Sequence, residues 1–232
     1  MLKVFSMKEI IKKFWMVGTL VKRIYRTRVK HLKPFRGSTE YWKRRYEKGG
    51  GSGAGSYNEL AEFKANVLNS FVQENNIETV IEYGCGDGNQ LQLAEYPSYI
   101  GFDVSPVATS CCNKIFSNDK TKHFKLMDEY AGEIAQLTLS LDVIYHLIED
   151  NIFIEYMGRL FSSSKRFVII YSSNTDDNRD NRARHVKHRQ FSVWIEKTQS
   201  QWKLLRYIKN KFPYTGDNKK GSMSDFFIYE RV

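Results

Sequence analysis

A short apolar strand, Thr79–Tyr83, runs directly into Gly84-Cys85-Gly86-Asp87-Gly88, and a helical pattern, Gln90–Glu95, follows. Strand, glycine turn and helix in that order open an α/β unit. Ligands of open α/β sheets sit beyond the carboxyl ends of the strands. Glycine suits such a turn because a Cβ would block close approach of the backbone to a ligand. A tight turn with no ligand is the competing reading of the glycines alone.

The spacing separates this loop from other glycine loops. The dinucleotide fingerprint is G-x-G-x-x-G, whereas here the glycines alternate at 84, 86 and 88. Asp87 puts a carboxylate where a pyrophosphate would be repelled. A sulfonium nucleoside carries no phosphate, and its amino-acid part carries an ammonium that acidic residues suit. Asp103 ends the next strand, Tyr99–Val104, fifteen residues after Gly88. A carboxylate there can accept hydrogen bonds from two ribose hydroxyls; an exposed aspartate before a turn is the alternative. Asp128, after a third strand at His123–Met127, is placed to meet an adenine amino group.

The rest of the chain continues the alternation. Leu60, Phe63, Val67, Leu68 and Phe71 mark a helix ending near Glu74, and Ser105-Pro106 opens another with serine at the cap and proline at its first position. Leu137–Tyr145 reads as a fourth strand, Asn151–Phe161 as a helix and Arg166–Ser172 as a fifth strand. A polar loop, 174–190, leads to a helix at Ser192–Lys197 and to strands at Trp202–Ile208 and Phe226–Tyr229. This is an α/β, doubly wound, mostly parallel seven-stranded sheet, with an antiparallel hairpin at one edge because no strong helix separates the last two strands.

Charge is distributed unevenly. Residues 1–36 hold eleven Lys/Arg and one acid, Glu9, so this arm carries the whole formal charge of +10 and the remainder is neutral. The arm reads as an amphipathic helix over Met7–Arg28. Its longest uncharged run, Phe14 to Val21, is far too short to span a membrane. Phe14, Trp15 and Tyr25 either pack on the domain or sit on an anionic lipid surface with lysines around them. The organisation expected is a basic arm (1–36), an aromatic and Gly-rich segment (37–57) and a catalytic domain (58–232). Three cysteines give no disulfide framework. A cytoplasmic protein follows, peripheral on the inner membrane if the arm (residues 1–30) binds lipid. No Cys/His grouping has metal spacing, and no metal is expected.

Val80–Asn89, Gly101-Phe102-Asp103-Val104-Ser105 and Leu141–Leu147 together resemble class I S-adenosylmethionine (SAM)-dependent methyltransferases, over roughly residues 57–175. The resemblance implies SAM as cofactor. It implies that Glu82, Gly84, Cys85, Gly86, Asp87 and Gly88 surround its methionine end and that Asp103 and Val104 hold ribose and adenosine. Ser140 to His146 would form the far wall, with Leu141 and Asp142 toward the cofactor and Tyr145 toward the substrate. Tyr41–Tyr57 is similar to N-terminal segments of bacterial methyltransferases that accompany surface-polysaccharide synthesis. By that similarity Tyr41, Tyr46, Ser52, Gly53 and Ser56 are lid residues; a flexible linker is the other reading of the glycine run.

Methyl transfer from a sulfonium needs positioned reactants, and a hydroxyl acceptor gains from a base. His146 is the first candidate base, or else a packing histidine. His185, His188 and Arg189 form a cationic group in the polar loop. They suit a phosphate or carboxylate on the acceptor, with the histidines as further catalytic candidates, or else form a solvated basic loop. The function expected is O-methylation of a sugar or phosphoryl-containing intermediate of bacterial cell-surface glycan synthesis. An RNA methyltransferase and a non-catalytic SAM-binding module docked on a membrane are the alternatives. Nucleic acid is not expected as a partner, because the domain has no net charge and no Asn/Asp-Pro-Pro-aromatic turn follows the fourth strand.

Overall fold

The computed structural model describes residues 35–179, 181 and 183–232; the basic arm expected at 1–36 lies almost wholly outside them, and so does its helix. Helix α1 (Ser38–Glu47) leads through the glycine run to α2 (Asn58–Glu74). The alternating part follows as β1 (Thr79–Tyr83), β2 (Ser98–Asp103), α3 (Pro106–Ile115), β3 (Lys122–Leu126), β4 (Ala135–Leu141), α4 (Asp150–Ser162), β5 (Ser164–Ser172), α5 (Phe191–Thr198), β6 (Trp202–Ile208) and β7 (Asp225–Arg231).

The seven strands form one sheet in the order β3-β2-β1-β4-β5-β7-β6. The first five are parallel. β7 inserts antiparallel between β5 and β6, so the terminal hairpin closes one edge. The chain runs outward from β1 to β3, then returns to β4 on the other side of β1. The sheet's switch point therefore lies between β1 and β4, where a crevice opens at the strand ends.

Alternate residues feed two cores. Val80, Leu137, Ile169, Phe226 and Ile228 face the side covered by Leu68, Phe71 and Val72 of α2. Ile81, Val168, Ile170, Phe227 and Tyr229 face Phe153, Met157 and Leu160 of α4 and Ile195 of α5. Because helices cover both faces, the central strands are buried along most of their length, the polar Glu82, Thr138 and Ser140 included. Helix α3 begins as its sequence indicates, with the Ser105 hydroxyl accepting from the Ala108 N–H at 3.3 Å and proline next.

Two elements depart from the sequence reading. Gln90–Glu95 is only a single 3₁₀ turn at Gln90–Leu93, because the chain leaves helical geometry at Ala94 before Pro97. β4 stops at Leu141 and not at Tyr145. Asp142 takes a left-handed φ of 59°, and Ile144–His146 coils into a 3₁₀ turn. That turn brings Asp142, Val143, Tyr145 and His146 to the crevice, while Ile144 packs into the core. Among the described residues no helix is long and apolar enough to cross a membrane.

Candidate active site

The glycines of the loop are demanded first by the protein itself. Gly84, Gly86 and Gly88 have φ of +86°, +63° and +80°, which side-chain-bearing residues rarely adopt. A Cβ on Gly84 would lie 2.5 Å from Val143, and one on Gly86 would collide with the Ser52 hydroxyl. The loop is therefore pressed between the β4 turn and the segment that follows α1.

That segment is fastened by side chains. Asp87 Oδ2 accepts from the Ser52 N–H at 2.9 Å and the Tyr57 hydroxyl at 2.7 Å. The Asp87 N–H donates to Ser52 Oγ at 3.0 Å, and Tyr46 shares a hydrogen bond with the same oxygen at 2.9 Å. Asn89 Nδ2 donates to the Ser56 carbonyl at 2.6 Å. At the other end of α1, Glu149 accepts from the Ser38 N–H and hydroxyl at 3.0 and 2.6 Å. The Gly-rich run thus lies across the glycine loop with specific bonds at both ends.

Beneath it is a cavity of about 410 Å³, within the range of small-molecule sites. Tyr46, Ser56, Glu82, Gly84, Cys85, Gly86, Asp103, Val104, Asp128, Leu141 and Asp142 all line it. Asp87 and Gly88 do not: the Asp87 carboxylate is engaged by the overlying segment, and Gly88 packs against Cys112 and Phe116 of the α3 region.

Two buried carboxylates dominate the cavity's electrostatics. Asp103 accepts from the N–H groups of Gly86 at 3.0 Å and Ser105 at 2.8 Å. Burial still pushes its pKa up to about 6. Glu82 accepts from the Tyr99 hydroxyl at 2.7 Å; burial raises its pKa to about 7, against that bond and the nearby Lys64 charge. Each carboxylate is short of donors for a charged group in low dielectric. Gln90, on the same wall, carries the one buried side-chain oxygen among the described residues without a partner.

A second cavity, of about 820 Å³, adjoins the first; Trp42, Ser52, Ser56, Asp142 and His146 line both. His146, Tyr145, His185 and His188 come together here from the β4 turn and the polar loop. His146 Nδ1 bonds the His185 carbonyl at 2.8 Å. A carbonyl only accepts, so Nδ1 carries the proton and Nε2 keeps its lone pair. Burial lowers the His146 pKa to about 4, which leaves the ring neutral near pH 7. The Trp42 indole meets it edge-on at 4.8 Å and the Tyr145 ring at 4.5 Å. His188 Nδ1 lies 2.6 Å from Ser173 Oγ.

Arg189 lines neither cavity. Its guanidinium donates to the carbonyls of Leu147 and Ile148 and pairs with Asp150 at 2.7 Å, so it braces the turn after β4. Two residues the sequence reading passed over matter more. Lys64 is buried in α2, its ammonium 2.8 Å from Asp142 Oδ2, which fixes the strained Asp142 together with Tyr145 and Ser224. Its signal was available: Lys64 stands four residues from both Leu60 and Leu68, on the apolar stripe of the helix. Arg45 lines the second cavity and sits in a run of basic and aromatic residues where nothing sets it apart.

The sequence matches no family model, and comparison with curated proteins finds no relative. Solved structures match by fold. The N-methyltransferase NodS from Bradyrhizobium japonicum, in complex with S-adenosyl-L-homocysteine, superposes with a TM-score of 0.62 at 12% identity, over 84% of this chain and 98% of that one. The methyltransferase domain of bacterial CtHen1 gives 0.58 at 18%, over 75% and 99%. Magnesium protoporphyrin IX methyltransferase (ChlM) from Synechocystis, with bound S-adenosylhomocysteine, gives 0.55 at 17%, over 84% and 95%. The fold described above is thus shared with these solved methyltransferases.

Proposed function

We propose that this protein is a SAM-dependent methyltransferase that methylates a hydroxyl group. The observation that carries the reading is the junction of two cavities at Asp142 and His146: one holds the carboxylates of Glu82 and Asp103, the other a histidine with a free lone pair. The smaller cavity fits the cofactor by its chemistry. Asp103 retains lone pairs for ribose hydroxyls, Glu82 suits the methionine ammonium, and Val104, Leu126 and Met127 offer an apolar slot beside Asp128 for adenine. Bound there, SAM supplies a methyl group on an already activated sulfur.

The chain's own part is to align and to take a proton. As the acceptor oxygen bonds to the methyl carbon and the carbon–sulfur bond breaks, His146 Nε2 receives the hydroxyl proton. The segment 49–57 covers the junction and keeps water out. Solved structures of this fold include a named N-methyltransferase and a named O-methyltransferase family protein, so the fold leaves the acceptor atom open. A hydroxyl is favoured because it must shed a proton that a neutral imidazole can accept. The acceptor we assign is a sugar or phosphoryl-containing intermediate of cell-surface glycan synthesis, on the likeness of residues 41–57 to enzymes of that kind.

The test is calorimetry with S-adenosylhomocysteine, followed by methyl label from SAM traced into fractionated cell material. Micromolar binding is expected. Asp103→Ala should weaken it by about 1–3 kcal/mol through lost hydrogen bonds to a charged group. Folded protein that binds no S-adenosylhomocysteine would overturn the reading.

A further inference from the structure

The second cavity contains a cation that the described residues leave without an ion-pair partner. Arg45 lines it from helix α1. Its Nε donates to the Gly51 carbonyl at 2.6 Å, and its guanidinium carbon lies 5.4 Å from the centre of the Trp42 ring. Among the described residues no carboxylate pairs with it, and its terminal nitrogens have no hydrogen-bond partner. Every other charge on this wall is satisfied. Asp142 is held by Lys64, and Asp177 by Arg179 at 2.6 Å.

Neutral donors line the same cavity as the arginine. Among the described residues the His185 ring, stacked on Tyr41 at 4.3 Å, makes no hydrogen bond of its own, and neither Tyr214 nor Asn218 on the same wall has a side-chain partner. The His188 ring has one nitrogen on Ser173 and the other unengaged. A half-buried guanidinium with two free N–H arms, imidazoles, a phenol and an amide thus line one cavity. A donor-rich wall of this kind suits an oxyanion, and a phosphoryl group offers it more acceptor oxygens than a carboxylate does.

We propose that Arg45 is the acceptor-recognition residue, binding a phosphoryl group on the acceptor within the second cavity. This rests on the transferase reading for the word acceptor. The arginine and His146 touch the same indole, Trp42. An acceptor held by its phosphoryl group at Arg45 therefore presents its neighbouring hydroxyls toward the base. Because Nε also holds Gly51, binding tightens the segment that covers the cofactor cavity. The Arg45 charge lowers the pKa of both His146 and His185, behind the effect of burial. A phosphoryl group that neutralises it strengthens His146 as a base only when the acceptor is present.

The experiment uses the full chain saturated with S-adenosylhomocysteine and titrated with inorganic phosphate or acetate at constant ionic strength, following histidine ring resonances by NMR. Phosphate should shift His185 and His188 saturably in the millimolar range, at least fivefold more tightly than acetate, and leave His123 on β3 unmoved. Arg45→Gln should weaken phosphate at least tenfold and keep S-adenosylhomocysteine affinity within about threefold. Arg44→Gln, whose arginine pairs with Glu40 on the surface, should match the wild type. If Arg45→Gln also loses S-adenosylhomocysteine, the wild-type titration decides: a shift at His185 without one at His123 supports the site. No shift, equal shifts at both, or equal binding of acetate overturns it. Failure to bind S-adenosylhomocysteine would instead count against the transferase reading and leave the phosphate titration intact.

Discussion

His146 shows how one side chain's role is set by its neighbours. Its Nδ1 proton is committed to the His185 carbonyl, so only Nε2 can take a proton from an acceptor. Burial holds the ring's pKa near 4, well under the ordinary value of 6.5. Two outcomes follow. His146→Ala should lower kcat by about 10²-fold or more, the usual size of a general-base contribution, with S-adenosylhomocysteine binding unchanged in calorimetry. The acid limb of the kcat/KM profile for the acceptor, at saturating SAM, should fall below about pH 5, since without the acceptor the ring stays deprotonated down to that region; a limb centred near 6.5 would point to a different base. That a histidine would stand past the fourth strand was legible in the sequence. Its tautomer was not, because the bond that fixes it comes from a residue thirty-nine positions away. Arg189 erred the other way: as a letter it is a cation in a polar loop, and only the turned chain shows it spent on the carbonyls of Leu147 and Ile148.

Strands and helices with apolar periodicity were read from sequence with nearly their observed bounds, β1 and β6 among them, because local pattern and burial agree there. Elements set by distant contacts were not. β4 ends early because Asp142 is pulled out of the strand by Lys64, Tyr145 and Ser224, none of which is visible in the run Leu137–Tyr145. The Gly-rich run 49–57 was open between linker and lid for the same reason: its partners, Asp87 and Asn89, belong to another element. Asp87 therefore offers a test of the clasp. Its carboxylate bears the cost of burial, yet the bonds from Ser52, Tyr57 and Asn89 hold its pKa below the usual value. Asp87→Asn keeps the size and removes the charge. It should raise the dissociation constant for S-adenosylhomocysteine about tenfold, the equivalent of one bond to a charged group. Limited proteolysis near Gly53 should become faster in the variant and stay protected in the wild type. Unchanged proteolysis would mean that the segment is held by other contacts.

Across the whole molecule, the sheet's switch point gathers two acids that the folded chain leaves short of donors. Glu82 and Asp103 have pKa values raised to about 7 and about 6, from ordinary values of 4.5 and 3.8. The sign of the consequence is fixed by linkage. Between about pH 4 and pH 7 the folded, ligand-free protein binds more protons than the unfolded chain. Its stability therefore falls as pH rises through that window and levels off above it. A ligand that brings an ammonium and two hydroxyl donors favours the ionised carboxylates, so its affinity moves the opposite way and climbs as they deprotonate. The thermal midpoint of the ligand-free protein should drop from pH 5.5 to pH 8. The dissociation constant for S-adenosylhomocysteine should fall by roughly tenfold over the same range, one pKa unit of linkage corresponding to a factor of ten. Glu82→Gln separates the two groups: it should raise the ligand-free midpoint at pH 8 and remove the upper part of the affinity rise, while the part that follows Asp103 near pH 6 persists. Calorimetry across five buffers at constant ionic strength reads both, and an affinity that is flat from pH 5.5 to 8 would show that the cofactor's polar groups are bound elsewhere than at these two carboxylates.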